Sequence, residues 1–222
     1  MGKLIVIEGT DGSGKSPQFR MLSDRLEAEK VAFQHIVFPR YKEESSALIR
    51  MYLGGTFGDK PSDVNAYAAS SFYAVDRYAS YKMDWGKWYE EGGLVLSDRY
   101  TTSNAVHQTS KVHKEKQAEY LKWLYDFEYD KLGLPCPDLT IYLDVPTEFT
   151  KMLMRCREAA TGTHADIHEM DLSYLTTCRE TGRSAARYYG WTVISCVADG
   201  AMRSIEDIHE EIYRHVAACL EE

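Results

Sequence analysis

The chain has 222 residues, 44% of them hydrophobic and 27% charged, ordinary values for one α/β domain with a substantial core. Its formal net charge of −8 argues against nucleic-acid binding, because phosphate backbones select basic faces. No apolar run reaches the length of a membrane span and the start lacks a signal-peptide layout, while five scattered cysteines without a Cys-x-x-Cys pair read as reduced packing thiols of a cytoplasmic protein.

Apolar runs of strand length alternate with helical patterns, which predicts a parallel sheet flanked by helices. The first strand spans 3–8 and runs into Gly9-Thr-Asp-Gly-Ser-Gly-Lys-Ser16, a match to G-x-x-x-x-G-K-[ST] with strand before and helix-compatible sequence after it. Gly9, Gly12 and Gly14 let the backbone wrap an anion, so that the N–H groups of Thr10, Asp11, Ser13 and their neighbours point at phosphate oxygens. Lys15 supplies a cation for the β and γ phosphates, and the Ser16 hydroxyl is placed for Mg²⁺. The chain is therefore expected to bind a nucleoside triphosphate.

A helix is expected over 17–29, opening on Pro17, which the first helical turn tolerates. A second strand at 34–38 ends in Phe38-Pro39-Arg40-Tyr41. A long helix over 62–83 has Asp63 near its start and carries Tyr73-Ala-Val-Asp-Arg77. The third strand, 94–97, runs into Asp98-Arg99-Tyr100 and then Ser103-Asn104-Ala105-Val106-His107-Gln108. Helices follow over 114–131, 147–157, 172–188 and 204–219, with strands at 139–144 and 192–196 between them. The polar stretch 158–170 reads as a lid, because phosphoryl transfer needs water excluded. No linker or repeat divides the chain.

In an open parallel sheet, ligands gather beyond the carboxyl ends of the strands, so the clusters after strands two and three should converge near the phosphate loop. Arginines beside aromatics and amides suit a flat base that carries a phosphate. Asp98 ends an apolar strand, where a Mg²⁺-associated carboxylate sits in such folds. No Asn-Lys-x-Asp motif for guanine is present.

With these residues the sequence resembles the thymidylate kinases, which phosphorylate dTMP to dTDP with ATP. The resemblance covers nearly the whole chain and implies a phosphate-loop kinase fold with a five-stranded parallel sheet, a lid, Mg²⁺ as the metal, ATP and dTMP as the substrates, and a homodimer built through helices that include 67–83. It implies that Lys15 and the loop amides hold ATP, that Asp11 lies between the two substrates near the sugar and the metal, and that Tyr73 (where the family usually has Phe) stacks on thymine with Phe38 and His107 as walls. Arg77 reaches the base edge, with Ser103, Asn104 and Gln108 beside it and Arg40 in the same acceptor set. Arg99 clamps the acceptor phosphate. The metal set is Ser16, Asp98, Asp11 and Glu169, the last contributed with Asp166 by the lid, and adenine lies against 197–200 and Arg155 or Arg157.

Three positions depart from the family pattern. Pro17 replaces the usual Thr, and His107 replaces Tyr or Phe. Some members place a catalytic arginine in the loop, where this chain has Gly12; others supply it from the lid, which has none over 158–170. Arg157, nearer the lid than Arg155, is the expected substitute. Two other readings predict different behaviour: a deoxynucleoside kinase would need a carboxylate base for a neutral hydroxyl, and a catalytically weak nucleotide-binding protein would bind ATP without turnover. His164, Asp166, His168 and Glu169 also have the spacing of a zinc site.

Overall fold

Residues 4–7 of the first strand are apolar on both faces, and a strand of that kind is stable only between two layers. A computed structural model, which describes residues 1–161 and 172–221 and leaves out the side chains of 155–172, places β1 (Lys3–Glu8) at the centre of a five-stranded sheet. The order is β2 (Phe33–Val37), β3 (Leu94–Asp98), β1, β4 (Leu139–Asp144), β5 (Thr192–Ser195), and every neighbouring pair is parallel. Period-two alternation divides β1 between two cores. Ile5 and Ile7 pack with Phe19, Leu22 and Leu26 of α1 (Lys15–Ala28) and with Ile208, Ile212 and Val216 of the C-terminal helix, while Leu4 and Val6 meet Phe38, Trp85, Val95 and Tyr100.

The expected strands are present, each within a residue or so of its predicted bounds, and the flanking layers hold the differences. A short helix, α2 (Ala47–Leu53), was not expected. The long helix begins later than its sequence implies: Asp63 belongs to a separate 3₁₀ turn, Val64 is extended, and Asn65 caps α3 (Ala66–Ser80) by accepting from Ala68 N at 2.9 Å. It then continues through a π-helical turn, Tyr81–Trp85, into α4 (Gly86–Glu90).

The segment after β3 forms α5 (Thr101–His107), also unexpected because Thr101-Thr-Ser-Asn104 favours helix weakly. Burial overrides propensity here, since every residue of α5 except Ser103 is buried. The predicted helix over 114–131 is a 3₁₀ turn, α6 (Gln117–Tyr125) and a π-helical turn, Asp126–Lys131.

Beyond β4, α7 (Thr147–Thr161) extends four residues into the stretch expected as a lid. The rest of that stretch, with His164, Asp166, His168 and Glu169, lies outside the described residues. After α8 (Leu172–Tyr189) and β5, a small antiparallel pair, β6 (Val197–Ala198) and β7 (Ala201–Met202), precedes α9 (Ile205–Glu221). No helix among the described residues is long and apolar enough to cross a membrane.

Candidate active site

The loop Gly9–Ser16 joins β1 to α1 at the carboxyl edge of the sheet. Gly12 and Gly14 have φ of 75° and 83°, values that favour glycine. A Cβ at Gly12 would stand 2.7 Å from the carbonyl oxygen of Thr150 and 2.6 Å from Met154 Cγ, so α7 closes this position to any larger residue. Lys15 is buried and folds back over the loop, donating to Gly9 O at 2.7 Å and Thr10 O at 2.9 Å. Burial, reinforced by the Arg99 guanidinium, pulls its ammonium down to about 8 against the pull of Asp11, Glu8 and Asp98. Ser16 is exposed at the start of α1.

Beside the loop, Arg99 leaves β3 with φ of 67°. Its guanidinium forms an ion pair with Asp11 and lies 3.9 Å from Glu8, 3.3 Å from His107 Nε2 and 3.5 Å from Ser103 Oγ. Burial opposes that charge, but Asp11, Glu8 and Asp98 outweigh it and push the Arg99 pKa up. Glu8, unnoticed in the sequence, organises this corner. Fully buried at the end of β1, it accepts from Gly9 N at 2.9 Å, Thr102 Oγ1 at 2.8 Å and Ser103 Oγ at 2.7 Å. A carboxylate at the end of an apolar central strand was the available signal.

Arg99 opens into a cavity that brings together Asp11, Phe38, Tyr73, Arg77, Ser103, Asn104, His107 and Gln108, all expected in the acceptor set. Pro39, Tyr41, Leu53 and Tyr100 complete the lining and were not expected. Arg40 is not in the lining. Its backbone N–H donates to Asp76 Oδ2 at 2.8 Å, and its guanidinium is held by Asp76, Asp84 and Ser45.

The polar floor has a defined hydrogen-bonding pattern. Arg77 is buried against Glu128, with Nε to Oε2 at 2.6 Å and Nη2 to Oε1 at 2.5 Å, and Glu128 outweighs the opposing effect of burial to push the Arg77 pKa up. Asn104 directs Nδ2 to Ser70 O at 3.3 Å and Glu128 Oε1 at 3.2 Å. Guanidinium N–H groups are thus the donors at this edge, and Asn104 Oδ1 the acceptor.

Arg155 and Arg157 stand on α7, but their side chains lie outside the described ones. Among the described residues, no three His, Cys, Asp or Glu side chains gather as a metal site. Mg²⁺ takes one or two protein oxygens and completes its shell with phosphate and water. Ser16 and Asp98 carry oxygens of that kind; Ser16 follows Lys15 in the chain, and Asp98 lies within electrostatic reach of Lys15. Asp11 is engaged with Arg99.

The sequence model of the thymidylate kinase family matches residues 7–212. A thymidylate kinase of Mycobacterium tuberculosis is 33% identical over 172 residues, covering 76% of this chain and 78% of that protein. One from Halothermothrix orenii is 30% identical over 221 residues, 99% of this chain and 98% of that protein. The Homo sapiens thymidylate kinase is 29% identical over 144 residues, 65% and 61% of the two chains.

Proposed function

The chain belongs to the thymidylate kinase family and phosphorylates dTMP, and from that premise we propose that the cavity beside Arg99 receives dTMP and the Gly9–Ser16 loop receives ATP. The observation that carries this reading is Arg99 itself, which touches Asp11 of the loop on one side and Ser103 and His107 of the cavity on the other. A phosphate entering the cavity exchanges with Asp11 as the partner of that guanidinium. Tyr73 and Phe38 offer faces for the thymine ring. Arg77 and Asn104 offer a donor and an acceptor that match a 4-oxo group beside an N3–H.

The attacking group is a phosphate oxygen of dTMP, already anionic, so transfer needs no strong general base. Catalysis consists of alignment and charge neutralisation. Lys15 turns from the Gly9 and Thr10 carbonyls to the β and γ phosphates of ATP, and Arg99 holds the acceptor. Mg²⁺, when bound, withdraws charge from the phosphate oxygens, and Ser16 and Asp98 would hold it. Arg157, at the end of α7, supplies the cation that Gly12 cannot; Arg155 and the turn between β6 and β7 flank adenine.

Two further readings concern the protein as a whole. Tyr67, Val75, Tyr78 and Met83 are exposed along α3 and the turn after it, which supports a homodimer through this surface. Cysteines 136, 178 and 196 form no disulfide, which fits a cytoplasmic enzyme.

The test is an ADP-release assay over a panel of nucleoside monophosphates together with thymidine. Turnover with dTMP and none with thymidine is expected. Efficient phosphorylation of thymidine would move the acceptor from a phosphate to a hydroxyl and remove the role given to Arg99.

A further inference from the structure

Glu128 stands in the π-helical turn Asp126–Lys131, and its side chain is fully buried. In sequence the run Asp126-Phe-Glu-Tyr-Asp130 lies within the helix expected over 114–131. A π turn inserts an extra residue into the helical register and so resets which side chain meets the core. Here it brings one carboxylate under both polar residues of the cavity floor.

All the acceptor positions of that carboxylate are occupied. Oε2 accepts from Arg77 Nε at 2.6 Å and Thr101 Oγ1 at 2.8 Å; Oε1 accepts from Arg77 Nη2 at 2.5 Å and Asn104 Nδ2 at 3.2 Å. A carboxylate can only accept. Together with Ser70 O, it obliges Asn104 to turn its NH₂ away from the cavity and leave Oδ1 for a ligand. The same pair of bonds fixes the guanidinium plane of Arg77, while Nη1 reaches Tyr100 O at 3.4 Å.

We propose that Glu128 is a positioning residue that sets the base preference of the enzyme, by fixing Arg77 as donor and Asn104 as acceptor at the cavity floor. A pyrimidine with a 4-oxo group and an N3–H matches that pattern. The 4-amino edge of cytosine meets donor with donor and acceptor with acceptor, which leaves buried polar groups unpaired. The proposal rests on the reading of this cavity as the acceptor-nucleotide site.

Glu128→Gln is nearly isosteric, but its NH₂ must face an N–H of Arg77 whichever way the amide lies. Steady-state kinetics with dTMP and dCMP on the wild type, Glu128→Gln, Glu128→Asp and Tyr73→Ala test the role. Glu128→Gln is expected to raise KM for dTMP by about tenfold or more and to lower the dTMP-to-dCMP ratio of kcat/KM by a similar factor. KM for ATP and the kcat at saturating dTMP should stay within about threefold of wild type. Glu128→Asp keeps the charge but retracts it, and should shift the same two quantities in the same direction. Tyr73→Ala should raise KM for dTMP with little change in the ratio, because stacking tolerates any base.

An unchanged KM and ratio in folded Glu128→Gln, with Tyr73→Ala impaired, would overturn the positioning role alone. An unimpaired Tyr73→Ala would overturn the assignment of the cavity, and the proposal with it. If neither Glu128 variant folded by circular dichroism, the carboxylate would be a stability element and the proposal would fall.

Discussion

Arg77 and Glu128 meet edge to edge out of reach of water, 1% and 0% exposed, through two hydrogen bonds of 2.6 and 2.5 Å. The guanidinium that borders the cavity is therefore also half of a buried ion pair, and its removal has two consequences.

Arg77→Ala removes a side chain that lines the cavity and leaves a carboxylate buried without its counter-charge. Breaking such a pair costs about 3–5 kcal/mol. For a chain of this size that lowers Tm by roughly 6 °C or more. Differential scanning calorimetry checks this, and the double change Arg77→Leu with Glu128→Leu should recover most of the loss, since a packed apolar pair carries no unpaired charge. Affinity for dTMP in Arg77→Ala must be measured well below its lowered transition.

Gly12→Ala tests the closure of the loop by α7. The new Cβ would strain a backbone at φ 75° and press on Thr150 O and Met154. A residue forced into such a conformation costs about 1–3 kcal/mol. The expected outcome is a lowered Tm and a raised KM for ATP, with affinity for dTMP retained. Wild-type stability in this variant would mean that α7 yields, and that an arginine could be accommodated there.

With position 12 closed and Arg99 paired with Asp11, the proposed reading gives the charge on the transferring phosphoryl group to Arg157. An arginine at that point is worth about 10³–10⁵ in rate in related phosphoryl transfers. At saturating substrates, Arg157→Ala should lose kcat by a large factor and Arg155→Ala by a small one. Residues two apart on a helix point to different faces, so equal losses are not expected. Equal and small losses would assign the role to Arg99 and Lys15.

The depressed Lys15 ammonium gives ATP binding a pH dependence of defined sign. With a pKa of about 8, the side chain is half neutral at pH 8 in the free protein. Bound phosphate favours the charged form, so binding takes up a proton. Affinity is full below pH 8 and falls by up to about tenfold per pH unit above it, until the pKa of the complex is passed. Calorimetry at pH 8 in two buffers of different ionisation enthalpy should register uptake of about half a proton. Lys15→Met should abolish that uptake and cut turnover by several orders of magnitude, with the fold intact. Buffer-independent heats in the wild type would contradict the assignment.

The sheet and the loop were legible because their causes are local. Buried parallel strands are apolar runs, and an anion-binding turn needs glycines at fixed spacing. The expected acceptor residues from Phe38 to Gln108 were legible as clusters after two strand ends and on the long helix, and all but Arg40 line one cavity. Arg40 stands outside that lining, where Asp76 and Asp84, 36 and 44 residues away, hold its guanidinium. Glu8 acts through partners 94 and 95 positions distant and Glu128 through partners 24 to 51 positions distant, so a local window of sequence shows the carboxylates but not what they hold. α5 escaped notice because Thr101-Thr-Ser-Asn104 becomes helical only through packing against α3 and α8.

The central claim is that Arg99 turns the cavity beside the loop into a phosphate-bearing acceptor site. Titration of dTMP and of thymidine into the wild type and Arg99→Ala tests it most directly. A charge-assisted contact is worth about 1.5–3 kcal/mol, so the wild type should prefer dTMP over thymidine by roughly 10- to 150-fold. Arg99→Ala should bind the two with nearly equal, weak affinity. Retention of the full preference for dTMP in Arg99→Ala would contradict the account, because the phosphate would then be held elsewhere.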